Sequence, residues 1–195
     1  MAARRLGNLK RIVGIIAEGE SDVEVIQILL RKMASKSFSV SPMVGHGCGK
    51  IRSHCARWAA LLKSRGCNRL IVVHDSDKED PQKLANLLTT KLGSNAITPR
   101  TVVVPVREIE AWLLADEEAI SSVLSLEPEL KDIGNTEKLD DPKAHLRQLV
   151  RARAKKLRDY LPATHNVKVA QEVRISKLKK CNSFAPLAAF ATKHL

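Results

Sequence analysis

Short, unbroken apolar runs alternate along this chain with longer stretches in which apolar residues return every three or four positions. Ile12-Val-Gly-Ile-Ile-Ala17, Leu70-Ile-Val-Val73 and Val102-Val-Val104 are of the first kind. They are rich in β-branched residues and too short for buried helices, which is the pattern of strands covered on both faces. The periodicity predicts strands over 10–17, 38–44, 69–75 and 100–106, with helices over 21–36, 51–65 and 81–92 between them. A βαβαβαβ series with connections of this length implies a parallel sheet in an α/β fold. After Val106 the pattern turns helical over 108–116 and 117–124. The segment 126–141, with Pro, Gly, Asn and many acids, reads as a mobile connection. A helix over 142–160, a short polar stretch and a last helix over 185–194 complete the chain. The expected organisation is an α/β domain at 8–120 and a basic helical C-terminal extension at 121–195 packed on it.

Composition leaves that picture intact: 195 residues, 44% hydrophobic and 28% charged, suit a folded domain with an ample core. No apolar run approaches the roughly 20 residues of a membrane helix, and the first ten residues lack the apolar core of a signal peptide, so a cytoplasmic protein is expected. The four cysteines show no C-x-x-C spacing, which argues for buried, inert thiols over a disulfide framework or zinc ribbon.

Charge adds more. The balance of 33 Lys+Arg against 21 Asp+Glu gives +12, and between 142 and 180 twelve basic residues face only Asp159 and Glu172. Such a balance points to phosphate-rich partners or an acidic surface. On a helix over 142–160, Leu146, Leu149, Val150, Leu157 and Leu161 share one side and Arg147, Arg151, Lys155 and Arg158 form a stripe on another, with Arg153 falling near the apolar side. An isolated stripe of this kind is most simply a solvated face; on one small chain with the acid clusters that end the apolar runs, these four residues point instead to a nucleic-acid or acidic-protein surface. With aromatic residues at 3%, stacking platforms are scarce, so contact with nucleic acid would run mainly through backbone phosphates.

The candidate chemistry lies where apolar runs end in acids. The first predicted strand runs into Glu18-Gly-Glu-Ser-Asp22 and the third into Asp75-Ser-Asp77. In parallel α/β sheets the carboxyl ends of the strands open onto the ligand crevice, so these acids should converge. On an extended backbone Asp75 and Asp77 point to one side, close enough to share a hard cation, and Glu18 adds a third carboxylate. Each also has a plainer reading. Asp77 and Asp80 suit helix caps ahead of Pro81, and Asp22 and Glu24 suit the first turn of a helix as well as they suit catalysis. Gly19 suits a positive φ or a close approach of substrate.

These motifs carry a resemblance. Ile15-Ile-Ala-Glu18-Gly-Glu-Ser-Asp22 with Val72-Val-His-Asp75-Ser-Asp77 resembles the toprim domain of topoisomerases, primases and overcoming-lysogenization-defect nucleases, over about residues 10–116. The run Val106-Arg-Glu108-Ile-Glu110-Ala-Trp112-Leu-Leu-Ala-Asp116, with Asp141-Pro-Lys143 and Ser183-Phe184, resembles a prokaryotic toprim-like family of uncharacterised function over nearly the whole chain. The resemblance implies a toprim-like (Rossmann-like) four-stranded parallel sheet flanked by helices. It implies that Glu18 is a general acid/base or metal-site residue, that Asp75 and Asp77 bind Mg²⁺ (or Mn²⁺), and that Glu108 and Glu110 are further acids of the site, candidate metal ligands with a less defined role. It implies a Mg²⁺-dependent nuclease acting on DNA or RNA, of a kind met in prokaryotic defence beside ATPase partners. The alternative is a non-catalytic subunit that binds nucleic acid or an ATPase.

Other signals weigh less. Gly45-His-Gly-Cys-Gly-Lys50 lacks both the spacing and the Ser or Thr of a P-loop. As a Gly-rich turn it suits either a plain connector or a place where Lys50 and Arg52 touch a phosphate. His46, Cys48, His54 and Cys55 match no familiar zinc ligand spacing. Trp58 and Trp112 suit the core, and His74 suits packing at a strand end or proton transfer. Tyr160, the chain's one tyrosine, lies in the predicted basic helix without the further domains of a topoisomerase. Asp75-Ser-Asp-Lys78 also departs from the first-strand D-x-D of haloacid-dehalogenase phosphatases.

Overall fold

A computed structural model describes residues 10–195, with the backbone alone at Cys48. Four strands, β1 (Ile12–Ala17), β2 (Ser39–Val44), β3 (Arg69–Val73) and β4 (Arg100–Val103), form one sheet in the order β2-β1-β3-β4. Every pairing is parallel. The connections are α1 (Glu20–Met33), α2 (Cys48–Ser64) and α3 (Pro81–Leu92). The α/β class, the parallel sheet and its flanking helices are therefore as the apolar pattern predicts. Alternate strand residues face opposite layers, as a two-residue repeat requires. Val13, Ile15, Ala17, Ile71, Val73 and Val103 join one core, and Ile16, Leu70 and Val72 join a second with Cys55, Leu62, Leu84 and Leu88 of α2 and α3. Local chemistry fixes the ends: Pro81 opens α3 behind the Asp80 cap, which accepts from Lys83 N at 2.8 Å, and Gly93 at φ 67° closes it.

The rest of the chain builds onto the first layer. It forms α4 (Glu110–Leu114), α5 (Glu117–Leu124), α6 (Pro142–Arg153), α7 (Pro162–Glu172), α8 (Ile175–Leu178) and α9 (Ala185–His194). Helix α7 packs along α1, and α9 packs on β4 and α1. Trp112, Phe184, Leu187 and Phe190 thus share one continuous core with the strands. No helix among the described residues is long and apolar enough to cross a membrane.

Three features depart from the sequence pattern. Helix α6 stops at Arg153, because Ala154 turns extended and bridges Leu126, with Glu127 N donating to the Arg153 carbonyl at 2.9 Å. Lys155 and Arg158 therefore lie beyond the helix and the predicted stripe is not one helical face; Leu161 is 56% exposed while Tyr160 is buried. Helix α7 occupies what read as a polar stretch, because half of its buried face is polar, His165 and Asn166 beside Val169 and Ala170. Finally, the connection before α6 is pinned rather than mobile: Thr136 is buried, and Glu137 accepts from the backbones of Asn182 and Ser183, each at 2.9 Å.

Candidate functional site

The strand order reverses direction at β1 and β3, since β2 lies to one side of β1 and β3 to the other. The crevice at such a switch point, beyond the carboxyl ends of the strands, is where parallel α/β sheets bind ligands. Glu18 follows β1 directly and Asp75 follows β3 by two residues. Asp22, in the first turn of α1, folds back so that its Oδ2 accepts from Gly19 N at 2.9 Å. Gly19 has φ −126°, so the positive-φ reading does not hold; a Cβ there would stand 3.2 Å from that same Oδ2. The glycine makes room for the Asp22 carboxylate. Glu108 enters from the turn before α4 and Glu110 from its first residue.

These acids act on one another's charge. Burial first, then the neighbouring Asp77 and Asp22 carboxylates, push Glu18 up from 4.5 to about 7. Asp75 is raised well above the carboxylate range by burial and by Asp22, Glu110 and Glu18, and Asp22 and Glu110 are raised chiefly by burial. One lysine answers this group. Lys143, in the first turn of α6, places Nζ 3.0 Å from Glu108 Oε1 and 3.7 Å from Glu110 Oε1, while its backbone N donates to Glu108 Oε2 at 3.1 Å. Although burial disfavours a charged lysine, Glu110 and Glu108 outweigh it and hold Lys143 protonated. Behind it, Asn166 Nδ2 donates to Glu110 Oε1 at 3.0 Å, and the Tyr160 hydroxyl hydrogen-bonds Asn166.

The opposite wall is built by His74 and Arg52. Arg52 Nε donates to His74 Nε2 at 3.1 Å, and a guanidinium only donates, so the neutral imidazole carries its hydrogen on Nδ1. That nitrogen lies 2.7 Å from the Asp75 carbonyl and 3.1 Å from Glu18 Oε1. With the hydrogen directed at the nearer carbonyl, the buried Glu18 Oε1 is left without a hydrogen bond. Arg52 also pairs with Glu79 at 2.6 Å. Asp77 does not lie on an extended strand as expected: β3 ends at Val73, and Asp77 sits exposed at φ 50°. Its backbone N donates to the carbonyl of Arg107, itself at φ 61°, and Arg107 N donates to Ser76 Oγ at 2.7 Å. Two left-handed non-glycine residues held face to face store backbone strain beside the site.

The sequence-predicted residues therefore divide. Glu18, Asp75, Glu108 and Glu110 gather at the crevice with Arg52 on its wall, Asp77 stands at its rim, and Lys50 is exposed in the first turn of α2. On α6, Arg147 and Arg151 are exposed, with Arg151 3.7 Å from Asp159; Lys155, past the helix, pairs with Glu127. Asn166 and the Arg52–His74 contact escape a reading of the sequence, and Lys143 enters it only within Asp141-Pro-Lys143, with no role at the site. Asp141-Pro142, an N-cap and first-turn pair, fixes where α6 begins and so where that lysine stands. Cys55, Cys67 and Cys181 are buried free thiols, and His54 stacks on Trp58 with ring centroids 5.5 Å apart. Among the described residues no three His, Cys, Asp or Glu side chains lie close enough together to hold a metal ion unaided.

A doubly wound parallel sheet with acids at its switch point defines an α/β protein with a Rossmann-like fold. The chain belongs to the family described as Domain of unknown function (DUF4276), whose model matches residues 17–189. That span runs from the end of β1 into α9, so it takes in the acids, Lys143 and the C-terminal helices together. No curated protein and no solved structure matches the chain.

Proposed function

We propose that this chain is a Mg²⁺- or Mn²⁺-dependent nuclease of toprim type that hydrolyses phosphodiester bonds of DNA or RNA, in the setting of prokaryotic defence. The observation that carries the reading is the gathering of Glu18, Asp22, Asp75 and Glu110 at the switch point, each raised chiefly by burial, with Lys143 3.7 Å from Glu110 and Arg52 acting on Glu18. Their donor chemistry fits a hard divalent ion, and the buried Glu18 Oε1, which accepts no hydrogen bond and has His74 Nδ1 3.1 Å away, is an oxygen such an ion could take. Mg²⁺ keeps waters and takes phosphate oxygens, so it needs few protein ligands; Glu18 and Asp75 would hold it, with Asp77 joining from the rim. A bound divalent ion supplies Lewis-acid stabilisation of phosphoryl charge and lowers the pKa of water. Without the ion Glu18 is held near 7, so taking up the ion at neutral pH would release its proton and leave it a carboxylate ligand. Arg52, beside it, has the geometry to hold a phosphate oxygen once Glu79 is displaced.

A second reading, a non-catalytic subunit that binds nucleic acid or an ATPase partner, draws support from the lack of three close metal donors among the described residues. Plasmid DNA and single-stranded RNA incubated with the chain in Mn²⁺ or in EDTA separate the two. The nuclease reading expects cleavage in Mn²⁺ alone, abolished by Asp75→Asn with Asp77→Asn. Cleavage that survives the double substitution, or no cleavage by the wild type, favours the subunit.

A further inference from the structure

The crevice has two unlike sides. Toward α6, Lys143 grips both oxygens of Glu108, one with its ammonium and one with its backbone N–H, and the same ammonium stands 3.7 Å from Glu110 Oε1. Toward β1 and β3, no lysine or arginine among the described residues comes within ion-pair distance of Glu18, Asp22, Asp75 or Asp77. The lysine is locked in place: Asp141 Oδ1 caps α6 by accepting from Ala144 N at 2.7 Å, and Asn166 anchors Glu110 from behind. Two-metal phosphodiesterases place their ions about 3.5–4 Å apart between shared carboxylates. Here a fixed ammonium already stands among the acids that a second ion would use.

We propose that Lys143 is a built-in cation, its ammonium filling the Glu108–Glu110 side of the crevice in place of a second divalent ion and leaving one metal position on the Glu18–Asp75 side. This rests on the metal reading of the site given above. Glu108 and Glu110 are then the seat of the lysine rather than metal ligands, and the chain works with one metal and one ammonium. The charge is permanent and independent of metal supply, at the cost of a weaker field than a divalent ion provides.

The test counts Mn²⁺ bound per full-length chain by isothermal titration and by electron paramagnetic resonance of the free ion. Wild type and Lys143→Arg, which keeps the charge, are expected to bind one Mn²⁺; Lys143→Met, which vacates the acids, is expected to bind two. No gain of Mn²⁺ in Lys143→Met, whether or not the wild type binds the ion, overturns the proposal. Wild-type binding that is undiminished by Asp75→Asn contradicts instead the metal reading of Glu18 and Asp75. Should Lys143→Met lose its near-ultraviolet circular dichroism in EDTA, the count becomes a refolding titration. Recovery of the signal on Mn²⁺ addition supports the built-in cation, and failure to recover overturns it.

Discussion

Two buried acid sites in this chain are satisfied in opposite ways. Asp116, fully buried at the start of α5, accepts from Arg174 N at 2.8 Å, Arg174 Nε at 2.9 Å and Arg174 Nη2 at 2.6 Å, and caps the helix through Ala119 N. Burial alone would raise its pKa, but these hydrogen bonds outweigh it and hold the carboxyl below its usual value. At the strand ends Asp22, Asp75 and Glu110 share one lysine, Glu18 has only the nearby Arg52, and all four are raised. The fold thus neutralises a carboxylate completely where it joins α5 to the segment before α8. At the switch point the carboxylates stay raised instead, the kind of perturbation that gathers at functional sites, and the proposed divalent ion would answer it.

The sharpest way to break this contrast is to remove one acid from each side. Asp116→Ala loses an N-cap and leaves buried donors unpaired, so it should cost about 2–4 kcal/mol, read as a lower urea midpoint at constant slope. If it costs no more than Asp75→Asn does, the two sites are not different in kind. Next in size is the pH dependence. The folded-state pKa of Glu18, about 7, lies above its usual 4.5, so between these values the folded chain binds the extra proton. Metal-free stability should therefore fall as pH rises through 7 and be fully regained below about 4.5, by roughly 1–3 kcal/mol in all. Asp116, lowered, works in the opposite sense but only below its usual 3.8, outside that window. Glu18→Gln should remove its own share and leave the part that Asp22, Asp75 and Glu110 contribute in the same sense, as urea titrations of both chains across the range will show.

Smaller again is the effect of Asp75→Asn in EDTA. Relieving repulsion with Asp22, Glu110 and Glu18 should leave stability unchanged or raise it by about 1 kcal/mol, whereas a purely structural carboxylate would cost stability on loss. The smallest effect concerns the basic surface. Arg147→Ala with Arg151→Ala should reduce the salt slope of duplex binding by about 1.8 units, at roughly 0.9 per phosphate contact. An unchanged slope would retire a nucleic-acid role for α6, and Lys155, tied to Glu127 beyond the helix, should add little.

Strands β1 and β3 were legible because a strand buried on both faces leaves an apolar run, and Glu18 and Asp75 follow those runs within two residues. Helix ends were less legible. Nothing between Arg153 and Tyr160 breaks a helix locally; the bridge from Ala154 to Leu126 stops α6, and that pairing is non-local. Helix α7 was hidden by His165 and Asn166, polar residues turned inward to serve Leu161 and Glu110. The acids of the site could be picked from their position, but not their division of labour. Lys143 meets Glu108 across 35 residues, and no spacing rule reaches so far.

The contrast rests most directly on where a divalent ion settles, and anomalous diffraction from a Mn²⁺-soaked crystal at neutral pH locates it. One peak is expected, bounded by Glu18 and Asp75, with Lys143 still on Glu108. A crystal with no peak there, or with Mn²⁺ between Glu108 and Glu110 and the lysine displaced, would contradict it.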